Sequence, residues 1–160
     1  MYRYQDEFRN QVTISLKAQT KEADDCLVIP VYQGKFLFTM HKTRGIEFPG
    51  GKGEHGETTL MAAHRELLEE TGARAEELYF VADYLVEGKE RTFTKRVFCA
   101  EIATLEERTN YLETNGPLLL GGELQKLIRQ PEYSFFMRDA GMQFIAEAAV
   151  RLLLEKGILE

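Results

Sequence analysis

The 160-residue chain reads as one α/β (α+β) domain spanning residues 1–160 and built on a mixed β-sheet. Three observations carry that reading. Segments with the two-residue period of strands come first and then mix with helical segments. A strong helix with start and stop signals separates two groups of strands. No internal repeat, low-complexity tract or linker divides the chain.

The elements follow in order. Gln11 to Ala18 alternates apolar Val12, Ile14 and Leu16 with polar neighbours, as a half-buried strand does. Leu27 to Tyr32 and Phe36 to Met40 flank Gln33-Gly34 and predict a β-hairpin. Thr43 to Gly56 holds five glycines and Pro49, which predicts loop. Thr58 to Thr71 predicts a helix, with a threonine start and Gly72 as its stop. Leu78 to Val86 and Arg91 to Ile102 read as strands joined by a tight turn at Glu87 to Glu90. Residues 103–122 read as irregular, because Asn115-Gly116-Pro117 and Gly121-Gly122 punctuate them. Helices are expected over Glu123 to Gln130 and Asp139 to Lys156, the second placing Ile145, Ala149, Leu152 and Leu153 on one face.

Composition excludes several classes. A hydrophobic share of 44% is too high for a disordered chain. Set against 20 Lys and Arg, 26 Asp and Glu give a net charge of -6, which disfavours broad binding to nucleic acid or an anionic membrane. The charged N-terminus lacks the apolar core of a signal peptide. The best apolar stretch, Cys26 to Tyr32, is far below the ~20 residues of a membrane span. A soluble cytoplasmic protein is the expectation, with monomer and homodimer both open. Cys26 and Cys99 match no zinc spacing and are expected as buried reduced thiols rather than a disulfide.

Residues 50–73, GGKGEHGETTLMAAHRELLEETGA, carry the chemistry. With Glu66 at zero on a helix, Glu69 and Glu70 fall at about -60° and +40°, so three carboxylates share a face. Leu60, Met61, His64, Leu67 and Leu68 gather on the opposite side, expected to face the core, while Ala62 and Ala63 flank the acids. A solvated acidic face is the ordinary reading of such a helix. Here Arg65 is the only basic residue from Thr58 to Thr71, so the like charges go unrelieved. The acids also follow a loop with Gly50, Gly51, Gly53 and Gly56, whose backbone can approach a ligand. Carboxylates beside free loop carbonyls are a hard-oxygen set suited to Mg²⁺ or Mn²⁺.

The spacing G-x5-E-x7-R-E-U-x-E-E-x-G-U, with U apolar, resembles the Nudix box, on Gly51, Glu57, Arg65, Glu66, Leu67, Glu69, Glu70, Gly72 and Ala73. Ala73 departs mildly from the larger aliphatic usual there. From the chain's own 21 Glu, 13 Gly and 11 Arg, chance matches come to roughly 10⁻⁵ for the whole chain. The lead-in Glu47-Phe48-Pro49-Gly50-Gly51, the later YLETNGP and a helix after EYSFFMRDAGM resemble the MutT-like nucleoside triphosphatases of the YtkD type.

The resemblance implies the Nudix α/β/α sandwich, with the box as loop–helix–loop, and metal-assisted attack of water on a nucleoside diphosphate linked to a group X. It implies that Glu66, Glu69 and Glu70 ligate Mg²⁺ (or Mn²⁺) with the Gly50 carbonyl, and that Glu57 pairs with Arg65. One helix acid would double as general base, and Glu113 is a further candidate acid near the metals. Lys42, Arg44 and Lys52 flank the loop as candidate phosphate-binding residues, with Lys89, Arg91, Lys95 and Arg96 behind them. Phe36, Phe38, Phe48, Tyr84 and Phe93 are candidates to stack a base. His55 and His64 are expected to be structural or exposed, and His41 has no identifiable partner.

The expected activity is hydrolysis of a nucleoside triphosphate, oxidised guanine nucleotides included, to monophosphate and pyrophosphate. Pyrophosphate removal from an RNA 5′ end and other Nudix substrates are the alternatives. A nucleotide-sensing Nudix-fold domain without turnover is the non-enzyme alternative, and retention of all four box glutamates and Arg65 weighs against it.

Overall fold

The alternating strands assemble a sheet whose two faces are covered by different helices. A computed structural model describes residues 1–160. Its strands are β1 (Tyr2–Gln5), β2 (Gln11–Ser15), β3 (Asp25–Tyr32), β4 (Lys35–His41), β5 (Gly45–Glu47), β6 (Gly50–Lys52), β7 (Ala73–Ala75), β8 (Tyr79–Glu87), β9 (Thr92–Leu105) and β10 (Thr114–Leu120). The helices are α1 (Thr59–Thr71), α2 (Leu124–Leu127), α3 (Phe135–Arg138) and α4 (Ala140–Glu155). The main order is β1-β2-β8-β9-β3-β4-β10, with β5 on β4, β6 on β3 and β7 on β9. Strands β3 and β9 run parallel and all other pairs antiparallel, so the sheet is mixed as expected.

Period-two alternation splits β3 between two cores. Leu27, Ile29 and Val31 pack with Ile145, Ala149 and Leu153 of α4. Cys26 and Val28 pack with Ala62, Ala63 and Leu67 of α1 on the other face. Cys99 lies in the α4 core, so the two buried thiols sit on opposite sides of the sheet, both free. The β3–β4 hairpin turns at Gln33 and Gly34, both at positive φ, the twist-matched geometry of a two-residue turn.

Four expectations need correction. The 43–56 loop contains two short strands, because β5 pairs Gly45–Glu47 with β4 and β6 pairs Gly50–Lys52 with β3. Residues 103–122 are irregular only over 106–113 and 121–122. Strand β9 runs on to Leu105, and β10 forms an outer edge where a bulge between Thr114 and Pro117 absorbs the Asn-Gly-Pro signal. An edge strand tolerates proline because its missing N–H faces away from the ladder. The helix expected over Glu123 to Gln130 is one turn only, while β1 and α3 had no recognised signal.

The fourth correction bears on function. Helix α1 buries Thr59, Ala62, Ala63, Leu67 and Thr71, whereas Leu60 and Met61 are 45% and 55% exposed. Apart from Leu67, which faces the core as expected, its contact face is made of small residues, and these let the helix axis approach the sheet closely. The same approach draws Glu66 and Glu70 inward against β6, so the acidic edge adjoins the core contact rather than opposing it. Thr58 caps the helix by accepting the Met61 N–H, and Gly72 ends it in the left-handed conformation.

Candidate active site

Arg65 organises the acidic edge of α1. Its Nε and Nη2 donate to the two oxygens of Glu57 at 2.8 and 3.0 Å. Nη1 donates to Glu66 Oε1 at 2.8 Å and Glu69 Oε2 at 3.1 Å, and Nη2 also reaches the Lys52 carbonyl at 3.1 Å. All five guanidinium N–H groups are thereby used. Glu57 in turn accepts the Glu54 N–H at 2.7 Å, which ties the loop ahead of α1 to the arginine. The expected Glu57–Arg65 pair is present, and it spans loop and helix.

Glu70 points the other way and accepts the Gly50 N–H at 2.8 Å. A Cβ at Gly51 would lie only 2.8 Å from Glu66 Cδ, so glycine there is what allows the carboxylate to lie against the loop. Thr114 and Thr39 both donate to the Glu70 carbonyl, which docks the start of β10 on the end of α1. That docking brings Glu113 into a cavity of about 240 Å³ shared with Glu54, Arg65, Glu66, Glu69, Glu70 and Leu112. Glu113 is therefore not a loop carboxylate remote from the helix.

Burial pushes the Glu70 carboxyl up to about 8, against the Gly50 hydrogen bond and with Glu66, Glu47 and Glu113 adding repulsion. Burial also raises Glu66, opposed by its bond to Arg65. The Arg65 hydrogen bonds hold Glu57 below its ordinary value. Crowded carboxylates that resist ionisation are what a cation relieves, and an all-oxygen set fits a hard divalent ion. As the side chains stand, no three acids converge to hold one, since Arg65 Nη1 sits between Glu66 and Glu69 as the counter-charge.

A second cavity, about 320 Å³, opens on the other side of the Gly50–Lys52 backbone. Asp25, Arg44, Phe93, Lys95, Phe136 and Met137 contribute to its walls. A third, about 280 Å³, continues from it, sharing Leu27, Phe93, Lys95, Phe136 and Met137 before reaching Tyr4 and Tyr84. Helix α3 is brought there by a local clasp. The Ile46 N–H donates to Glu132 O and Ser134 N–H donates back to Ile46 O, and a Cβ at Gly45, whose φ is 105°, would strike the Glu132 carbonyl.

The basic candidates separate. Lys52 lines the 320 Å³ cavity. Arg44 also lines it, but is held by Glu47 at 2.8 and 3.0 Å and lies over the Phe136 ring. Lys42 is exposed and joins neither cavity beside the loop. Arg96 is spent on buried Asp83 and on the Thr20 and Lys21 carbonyls. Of the aromatic candidates, Phe36 and Phe38 are core, Phe48 is core with one edge on the cavity, and Tyr84 and Phe93 line the cleft. His41 accepts two backbone N–H groups of its own turn, His55 is exposed, and His64 is half-buried. Phe136 and Met137 were missed. Ser134, which caps α3 by accepting the Phe136 N–H, was the available signal.

A glycine loop facing a helix of arginine-ordered carboxylates, beside an aromatic-walled cleft, is the arrangement that the box implied for a hydrolase of phosphate anhydrides. The NUDIX domain family model matches residues 22–128, and the chain belongs to the Nudix family. The chain is 38% identical over 162 residues, with both chains fully covered, to a Bacillus subtilis (strain 168) protein named "Putative 8-oxo-dGTP diphosphatase YtkD". Its fold matches the crystal structure of the Bacillus subtilis pyrophosphohydrolase BsRppH with a TM-score of 0.89, at 37% identity and full coverage of both chains. A NUDIX hydrolase from Nitrosomonas europaea matches in fold, with a TM-score of 0.63 at 20% identity over 82% of this chain and 90% of that one. The protein is a Nudix pyrophosphohydrolase, as the box implied. No helix is long and apolar enough to cross a membrane.

Proposed function

We propose that the protein hydrolyses nucleoside triphosphates to nucleoside monophosphate and pyrophosphate with Mg²⁺ or Mn²⁺. The observation that carries this is the pairing of the carboxylate cavity with the nucleoside-sized cleft on opposite sides of Gly50–Lys52. Glu66, Glu69 and Glu70 would hold the cation, with the Gly50 carbonyl as a further oxygen. When bound, it neutralises polyphosphate charge and makes the attacking water more acidic.

The chain's own residues supply the rest. Glu57 fixes Arg65, and Arg65 sets the spacing of Glu66 and Glu69. A helix carboxylate or Glu113 accepts the proton of the water as its oxygen adds to phosphorus and the anhydride P–O bond breaks. Pyrophosphate leaves with the electron pair of that bond. Lys52 offers charge to the phosphates, and Phe93, Tyr84 and Phe136 offer rings to the base.

Continuity of the 320 and 280 Å³ cavities supports a second reading, in which the same site removes pyrophosphate from an RNA 5′ end. The relatives' names, diphosphatase and pyrophosphohydrolase, agree with both. Initial rates with dGTP, 8-oxo-dGTP and a short 5′-triphosphate RNA separate them. Release from free nucleotides supports the first reading, and release from RNA alone replaces it with the second.

A further inference from the structure

Apart from exposed Lys52 at its mouth, the cleft contains one strong donor with nothing to bond. Lys95 stands where the two cavities meet, its ammonium 5.9 Å from the centre of the Tyr84 ring, and it forms no hydrogen bond or ion pair. Every acid around it is committed elsewhere. Asp25 is held by Arg91 at 3.1 Å and Glu47 by Arg44 at 2.8 Å. Asp139 accepts from Tyr4 Oη at 2.9 Å and from the Met142 N–H at 2.8 Å. An ammonium in a largely apolar cleft is costly unless something in the cleft accepts from it.

The surroundings say what that acceptor is. Phe93 and Phe136 present rings, and Leu27 and Met137 are apolar, which suits a flat heterocycle and not a phosphate. Phosphates belong at the opposite end, beside Lys52 and the carboxylate helix. Lysine has three donors and no acceptor. Guanine offers O6 and N7 as adjacent acceptors, whereas adenine sets an amino donor beside N7. We infer that Lys95 selects a 6-oxopurine base by donating to its O6–N7 edge, a specificity built on the proposed nucleotide hydrolysis.

The test compares kcat/KM for GTP, ITP and ATP, since hypoxanthine keeps O6 and N7 but lacks the 2-amino group. Wild type should favour GTP and ITP over ATP by about 5- to 100-fold. Lys95→Met keeps the apolar stem and should collapse that ratio, chiefly through KM for the oxopurines. Lys95→Arg should restore part of it. Equal rates for GTP and ATP in wild type overturn the inference without any variant. An unchanged ratio in Lys95→Met overturns it too, and an equal loss with all three nucleotides assigns Lys95 to phosphate instead. If no free triphosphate is turned over, the hydrolysis reading fails separately. Calorimetric binding of GMP, IMP and AMP then decides, with equal affinities refuting the base contact.

Discussion

Substituting Gly51 by alanine separates the site from the fold. The backbone there is open to an L residue, so the cost arises only from what the new methyl meets. It would lie 2.8 Å from Glu66 Cδ and 2.9 and 3.0 Å from the two carboxylate oxygens. Carbon atoms settle at roughly 3.5–4.0 Å, so the Glu66 head must retreat by about 1 Å. That movement pulls it from the Arg65 Nη1 bond and from its place beside Glu70. A 1 Å misplacement in a catalytic constellation costs about 10²-fold. The flexible end of Glu66 can yield, so thermal unfolding should stay near wild type while steady-state release of pyrophosphate falls by about two orders of magnitude. Gly50→Ala should do the reverse of this pattern, because its methyl meets the Cys26 carbonyl and the Leu27 Cα, which are β3 backbone and cannot yield. It should unfold at clearly lower temperature. Wild-type turnover in a folded Gly51→Ala protein would refute the placement of Glu66 in the reacting site.

Three further outcomes follow from the same contacts. Arg96→Met leaves Asp83, 2% exposed, without its bidentate partner and should cost about 3–5 kcal/mol in urea denaturation; a shift below 1 kcal/mol would place water at that pair. Tyr133 carries a buried hydroxyl with no partner, so Tyr133→Phe should raise stability by about 1 kcal/mol, and a loss would reveal an unrecognised hydrogen bond. Glu70 is raised from 4.5 to about 8 in the folded chain, so its contribution to stability is full below 4.5 and is lost as pH rises through about 8. In metal-free buffer, the melting temperature of wild type relative to Glu70→Gln should therefore fall across that window, and Mg²⁺ should flatten the trend; a pH-independent difference would contradict the burial.

The box was legible because its chemistry lies in side-chain identity at fixed spacing. Arg65 gathers Glu57, Glu66 and Glu69, Gly51 leaves room for the Glu66 carboxylate, and Glu70 turns to the Gly50 N–H. Placement of α1 was not legible, because size misled. Leu60 and Met61 suggested the core face, yet Ala62 and Ala63 make it with Leu67, and the Leu60–Met61 edge meets solvent. Turn chemistry misled at Asn115-Gly116-Pro117, where an edge strand accommodates what an inner strand would reject. The cleft was out of reach for another reason. Its walls come from β3, β9, α3 and, deeper, β1, and the Ile46–Ser134 clasp together with the Tyr4–Asp139 bond carries Phe136 and Met137 to the same place. No local spacing records that meeting.

Product analysis with Mg²⁺ tests the central claim most directly, using dGTP on wild type and on Glu70→Gln. The account predicts dGMP and pyrophosphate in equal amounts from wild type, no release of inorganic phosphate, and near-complete loss of turnover in a folded variant. Full activity in Glu70→Gln, or dGDP with inorganic phosphate from wild type, would contradict it.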